Sequence, residues 1–248
     1  MNVFIVDTET TGLTASDSRC IEVGGILFSV DDRAVLGQCS FLLPAEENPV
    51  AHINGIRAEL TRRPQAARSG MEYFYAMAKQ ADYIVAHNVE FDRQWFGHGA
   101  LPALGQQWIC TMDDVEWPRV MRSRPAVTHV ALAYGVPVWA AHRALTDCIY
   151  LAQVMEREPN LELLLTQALE PKRLYMAIVS YEDRQKAKDA GFRWDGEQRR
   201  WLRKLRDYQV SDLNFDVREV AAWLSRESEG HLGNGTHWAR RLQQEAER

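Results

Sequence analysis

The sequence predicts an α/β fold built on a mixed central sheet flanked by helices, with a small α+β C-terminal appendage. Three observations carry this reading. Residues 2–44 hold three apolar, β-rich runs, after which short strand-like runs alternate with helix-like ones. Pro159 stops the last long helical pattern of that series. Beyond it the charge reverses. Residues 1–171 carry 13 basic and 21 acidic side chains, net −8, whereas residues 172–206 carry 11 and 5, net +6. Residues 207–248 carry net −3, so a basic segment of 35 residues sits inside a chain of net charge −5. Such a segment implies a second module with a partner of its own.

The elements follow in order. "NVFIVDT", "IEVGGILFSV" and "QCSFLLP" read as buried strands, with Asp31-Asp32-Arg33 as a hairpin turn between the second and third. "PQAARSGMEYFYAMAKQA" has Pro64 near a helix start and apolar residues at helical spacing. "DYIVAHN" is a short strand, "FDRQWFG" a helix ended by Gly97, and "QWICTM" a further strand. "THVALAYGVP" is a helix closed by Gly135 and Pro137, and "HRALTDCIYLAQVMERE" a longer one. A first domain is therefore expected over 1–158 and a linker helix over 159–171. A basic module over 172–226 should run strand, helix ending at Gly191, hairpin turning at Asp195-Gly196, then a helix from Asp216 to Arg226. Residues 227–248 read as a loosely packed tail.

Composition narrows the class. With 248 residues, 46% hydrophobic and 25% charged, the chain has the makeup of a globular protein with a full core. It holds no apolar run of about 18 residues, so no membrane partner is expected. The N-terminus lacks the basic region and apolar core of a secretory leader. The four cysteines are scattered and form no CxxC pair, which suggests reduced thiols and a cytoplasmic setting.

Three motifs carry chemistry. "VDTETTG" places Asp7 and Glu9 at the end of a buried strand, where alternate side chains share a face. Two neighbouring anions raise each other's pKa. A divalent cation turns that repulsion into chelation, and carboxylate oxygens are hard donors suited to Mg²⁺, with Mn²⁺ as a substitute. "AHNVEFD" supplies Asp92, and "HRALTD" supplies His142 and Asp147. His142 and Asp147 are five positions apart, about 500° around a helix. Asp147 is therefore expected on the helix and His142 in the loop that leads into it.

The order and separation of these motifs resemble the DEDDh 3′–5′ exonuclease family, the ribonuclease T and proofreading-exonuclease superfamily. "TTGL" after the acids, "HINGI" at 52–56 and "WICTM" at 108–112 add to the likeness. "HNVEFDR", "WICTM" and "HRALTDC" look nearest to its bacterial exonuclease X branch. The resemblance covers roughly residues 1–158. It implies a ribonuclease H-like sheet and metal-dependent release of nucleoside monophosphates from a 3′ end, DNA being the first choice. It also implies two divalent metal ions, with Asp7 bridging both, Glu9 and Asp147 on the ion that carries the attacking water, and Asp92 supporting the second. His142 becomes the general base, a role that suits a side chain whose ordinary pKa lies near neutrality. The segment after the acids would meet the terminal nucleotide, through the Thr10 backbone N–H and the Leu13 side chain. Asn88 is a substrate contact or a helix cap, and Arg119, Arg122 and Arg124 are phosphate contacts or plain surface charge.

The basic segment resembles a small bacterial auxiliary domain with the pattern "aKalGArWDpekKrWyv" and, more distantly, the DNA-binding HARP repeat. Gly191, Trp194, Asp195 and Trp201 anchor the match. Arg199, Arg200, Trp201 and Arg203 are the auxiliary nucleic-acid candidates, since cations beside indoles suit a single strand. Against this, Trp194 and Trp201 are also natural core residues for so small a domain. Two other functions stay open: an exoribonuclease of the same fold, and a non-catalytic nucleic-acid accessory. A polymerase or repair partner fits either enzyme reading, although no clamp-binding peptide is recognisable.

Overall fold

The computed structural model describes residues 1–121, 124–140 and 142–220, which form two compact units, 1–169 and 170–220 among the described residues. Arg122 and the stretch 221–248, which includes the predicted tail, lie outside the described residues.

The first unit runs β1 (Asn2–Thr10), β2 (Cys20–Ser29), β3 (Ala34–Leu42), α1 (Ala51–Asn54), α2 (Ala58–Thr61), α3 (Ala67–Ala78), β4 (Tyr83–Ala86), α4 (Val89–Arg93), β5 (Gln107–Cys110), α5 (Val127–Ala133), α6 (Ala144–Arg157) and α7 (Leu161–Leu169). Its strands form one five-stranded sheet in the order β3-β2-β1-β4-β5. The β1–β2 and β2–β3 pairs are antiparallel, whereas β4 and β5 are parallel additions, as expected for strands reached through helical crossovers. The mixed sheet flanked by helices is the architecture the sequence predicts.

Strand alternation divides the core. Phe4 and Val6 of β1 join Phe74 and Met77 of α3 on one face. There the Phe74 ring meets Phe4 edge-on at 4.7 Å between centroids and stacks on Phe96 at 6.0 Å. Val3 and Ile5 join Cys148, Leu151 and Met155 of α6 on the other. The glycine pair Gly24-Gly25 lets both layers close. A Cβ on Gly25 would lie 2.5 Å from the Phe4 ring, and one on Gly24 would lie 2.5 Å from the backbone of Ala144 and Leu145. The expected linker helix is instead a wall of this unit. Leu161, Leu164, Leu165 and Ala168 of α7 share one face and bury it in the same core as α6.

The second unit runs β6 (Arg173–Ala177), α8 (Arg184–Asp189), β7 (Arg193–Asp195), β8 (Arg200–Leu205), α9 (Asp207–Ser211) and β9 (Val217–Glu219). These strands form an antiparallel sheet in the order β7-β8-β6-β9, packed over Ala187 and Phe192. Two local expectations change here. The helix predicted from Asp216 begins as a strand, β9, because Val217 and its neighbours complete the open edge of β6. Its remaining residues, 221–226, lie outside the described residues. The hairpin is present, but its turn is the four-residue loop 196–199. The Asp195 carboxylate accepts the N–H groups of Glu197 (2.9 Å) and Gln198 (3.0 Å), and Arg199 takes the left-handed conformation at φ +52°.

Candidate active site

Asp7 and Glu9 continue the β1 face that carries Val3 and Ile5, at the end of the strand where the apolar core gives out. The first turn of α6 crosses that face, and the missing side chain of Gly24, the register partner of Asp7, is what lets it approach. Asp147, four residues into α6, thereby reaches the strand pair. One carboxylate oxygen from each of Asp7, Glu9 and Asp147 lies within 4.8 Å of the other two. Asp92, on the short helix after β4, is buried beneath β1. Its Oδ1 accepts both the N–H (3.0 Å) and the hydroxyl (2.8 Å) of Thr8.

Among the described residues only Arg143, which is already bound to Glu22, and His142 oppose this negative charge, on Glu9 and Asp147 respectively. Burial, reinforced by Asp92, Asp147 and Glu9, holds the Asp7 carboxyl well above its usual range. Burial and the neighbouring acids push Glu9 to about 8. Asp92 rises to about 7 through burial, in spite of the two Thr8 hydrogen bonds that favour its anion. Asp147 rises to about 6 through burial, with His142 holding it down. The Asp147 Oδ1 atom is buried without a hydrogen-bond partner. Such an orphan acceptor costs about 1–3 kcal/mol unless something from outside satisfies it. Clustered hard oxygens with an unsatisfied lone pair fit a divalent cation of the Mg²⁺ or Mn²⁺ kind.

Comparison with known proteins agrees with this geometry. Residues 4–155 match the family model described as Exonuclease, of the RNase T type. The chain belongs to the exonuclease family. The DNA polymerase III subunit epsilon of Treponema pallidum is 30% identical over 152 residues, 57% of this chain and 68% of that protein. Two solved structures share the fold. One is exonuclease X in complex with 5′-overhanging duplex DNA (TM-score 0.50, 23% identity, 67% of this chain and 99% of that one). The other is the nuclease domain of 3′hExo, a DEDDh family member (0.51, 15%, 63% and 90%). Residues 173–220 match a domain of unknown function, DUF8626.

Within this exonuclease domain the remaining predicted residues fall as follows. His142 is exposed in the turn before α6, at φ +61°, and is not one of the clustered ligand groups. Thr10 is buried at the end of β1. Its hydroxyl donates to the Gly12 carbonyl at 2.6 Å, and its own carbonyl accepts from Asn54 at 3.2 Å. "HINGI" thus has a mechanical part to play, since the buried Asn54 holds the segment after the acids. Leu13 is exposed rather than part of the core. Asn88 stands at the N-cap position of α4, yet its side chain makes no capping bond. Arg119 lies over the Tyr134 ring and Arg124 pairs with Asp113 at 2.7 Å, so both already have partners within the unit.

The sequence reading missed Glu22. It is the register partner of Glu9 and is buried, but it is fully engaged. Arg143 reaches it with Nε and Nη2 at 3.0 and 2.7 Å, Ser40 donates its hydroxyl at 3.1 Å, and the Ala144 N–H donates at 3.1 Å. It therefore anchors the start of α6 between His142 and Asp147. A lone acid inside the apolar run "CIEVGGILFS" was the available signal.

In the second unit, Trp201 packs partly buried against the small core, whereas Trp194 opposite it is exposed. Arg203 donates to the Ala190 carbonyl and lies against Gly191, a structural placement. Arg199 and Arg200 have no side-chain hydrogen bond or ion pair among the described residues, which sets them apart from Arg203.

Proposed function

We propose that this exonuclease degrades nucleic acid from the 3′ end, with DNA as its main substrate, releasing nucleoside monophosphates. The observation that carries this reading is the convergence of the Asp7, Glu9 and Asp147 carboxylates, with one buried Asp147 oxygen unsatisfied. Asp7, Glu9 and Asp147 would hold divalent metal, with Asp92 supporting from beneath β1. When bound, two such ions neutralise charge at the scissile phosphate and ease attack by water. His142, exposed beside the cluster, accepts the proton of the attacking water on its imidazole. Glu22 and Arg143 hold the chain that carries it. Thr10 and Leu13, in the segment tied down by Asn54, bind the terminal nucleotide, and Asn88 contacts the strand near Asp92.

The choice of DNA follows from the relative named as a DNA polymerase subunit, which also supports a replication or repair partner in the cytoplasm. No helix among the described residues is long and apolar enough to cross a membrane. The test is digestion of DNA and RNA strands labelled at either end, in Mg²⁺ or EDTA. A 5′-labelled DNA strand should give a descending ladder in Mg²⁺, and a 3′-labelled one should release labelled mononucleotide at once. Release from the 5′ end, or faster loss of RNA, would overturn the corresponding part of the proposal.

A further inference from the structure

We infer that the second unit carries a separate site for a single nucleic-acid strand, in which bases stack on Trp194 and Tyr181 while Arg184, Arg199 and Arg200 meet the phosphates. The inference rests on the reading of the first unit as a nuclease, which makes a strand the available polyanion. A cleft of about 460 Å³ opens on this unit, lined among others by Met176, Tyr181, Arg184, Trp194 and Arg200. That volume lies in the range of small-ligand sites and suits planar bases.

Its aromatic side chains are not consumed by the core. Trp194 is 52% exposed and Tyr181 75%. Trp201, directly across the hairpin, supports the Trp194 ring from 5.6 Å at a 60° tilt while itself packing inward. The Arg184 guanidinium already lies 3.9 Å from the centre of the Tyr181 ring, which presents a cation and a π-face together. Arg199 and Arg200 add charge with no internal partner among the described residues. The turn holds Arg199 at φ +52°, a conformation that glycine or asparagine adopts more cheaply, so turn geometry does not call for arginine there. Arg184 also donates to the Tyr181 carbonyl at 2.6 Å, so an apolar partner would leave the two guanidinium groups of Arg199 and Arg200 unanswered, and a merely acidic one would leave the exposed Trp194 indole unused. A single strand satisfies both, and residues 172–206 carry the net +6 that would draw it in.

The test uses the full chain in EDTA, with a fluorescein-labelled 20-nucleotide thymidine strand and anisotropy as the readout. Trp194→Ala should weaken binding by about 5- to 100-fold, and Trp194→Phe should restore most of it. The Arg199→Ala/Arg200→Ala double variant should lower the slope of log K against log salt by about 1.4. An abasic strand of equal length should bind the unaltered protein about as weakly as the thymidine strand binds Trp194→Ala. In Mg²⁺, cleavage of a trinucleotide should be the same for Trp194→Ala and the unaltered protein. Unchanged strand binding by Trp194→Ala, with its near-ultraviolet circular dichroism showing a folded chain, would overturn the site. So would displacement of the strand by polyglutamate at equal charge concentration, which would indicate an acidic protein partner. If the unaltered protein cleaves nothing, the nuclease reading falls, while these binding comparisons still decide the site.

Discussion

Glu9 and Glu22 face each other across the β1–β2 ladder, both buried, in opposite electrostatic conditions. Glu22 has its own cation in Arg143, with Ser40 and the Ala144 N–H completing its acceptor demand. Glu9 shares its surroundings with Asp7 and Asp147, and burial, reinforced by Asp147, Glu22 and Asp92 and only partly opposed by Arg143, pushes it to about 8. A carboxylate that belongs to the architecture is neutralised from within the chain. A cluster at a strand end in which acids outnumber the cations acting on them is instead suited to a cation from outside. The first kind should govern stability and the second activity, and four experiments can break or sharpen that division.

The largest effect is expected from Asp7→Ala. Removing one member of the cluster should lower Mg²⁺-dependent hydrolysis by about 10³-fold or more, since several kcal/mol of charge stabilisation depend on it. In EDTA the variant should melt no lower than the parent, because a desolvated carboxyl beside four other acids, Asp92, Asp147, Glu9 and Glu22, is gone. End-label assays and scanning calorimetry read the two effects, and parent-like turnover would remove Asp7 from the site.

His142→Ala should slow hydrolysis by about 10²–10⁴-fold while leaving the carboxylates free to bind metal. Titration calorimetry with Mn²⁺ checks this beside single-turnover rates. A parallel fall in affinity would make His142 a ligand rather than a base.

The Glu22 side of the comparison predicts an asymmetry in stability. Arg143→Ala strands a buried carboxylate without its cation and should cost about 3–5 kcal/mol. Glu22→Gln leaves behind an Arg143 side chain that is already 50% exposed, so it should cost about 1–3 kcal/mol. Urea denaturation of both variants in EDTA orders them, and the reverse order would show that Glu22 is not held by this pair.

The smallest expected effect is a pH slope. The cluster carboxylates have folded pKa values raised above the ordinary carboxylate value near 4. Over that window the folded chain binds more protons than the unfolded one, so stability falls as pH rises. The metal-free protein should therefore melt several degrees lower at pH 8 than at pH 5, and Mg²⁺ should raise the melting temperature more at pH 8. A flat metal-free profile across this range would contradict the electrostatics of the cluster.

Sequence alone determined the chemistry along each segment. The two-residue period of a strand puts Asp7 and Glu9 on one face, and the five-residue gap sets His142 in the turn and Asp147 on the helix, because these are local geometric facts. It also determined the reversal of charge after residue 171. Only tertiary structure decided what meets what. Glu22 is paired with a residue 121 positions away, and Asp147 reaches the strand acids because the bare backbone of Gly24 admits the first turn of α6. The leucines of α7 make a wall rather than a linker because a core face stood open to them. Residues 217–219 became a strand because β6 offered an unpaired edge. In each case local propensity permitted more than one conformation, and the choice fell to burial and hydrogen bonding with distant partners, neither of which a short window of sequence contains.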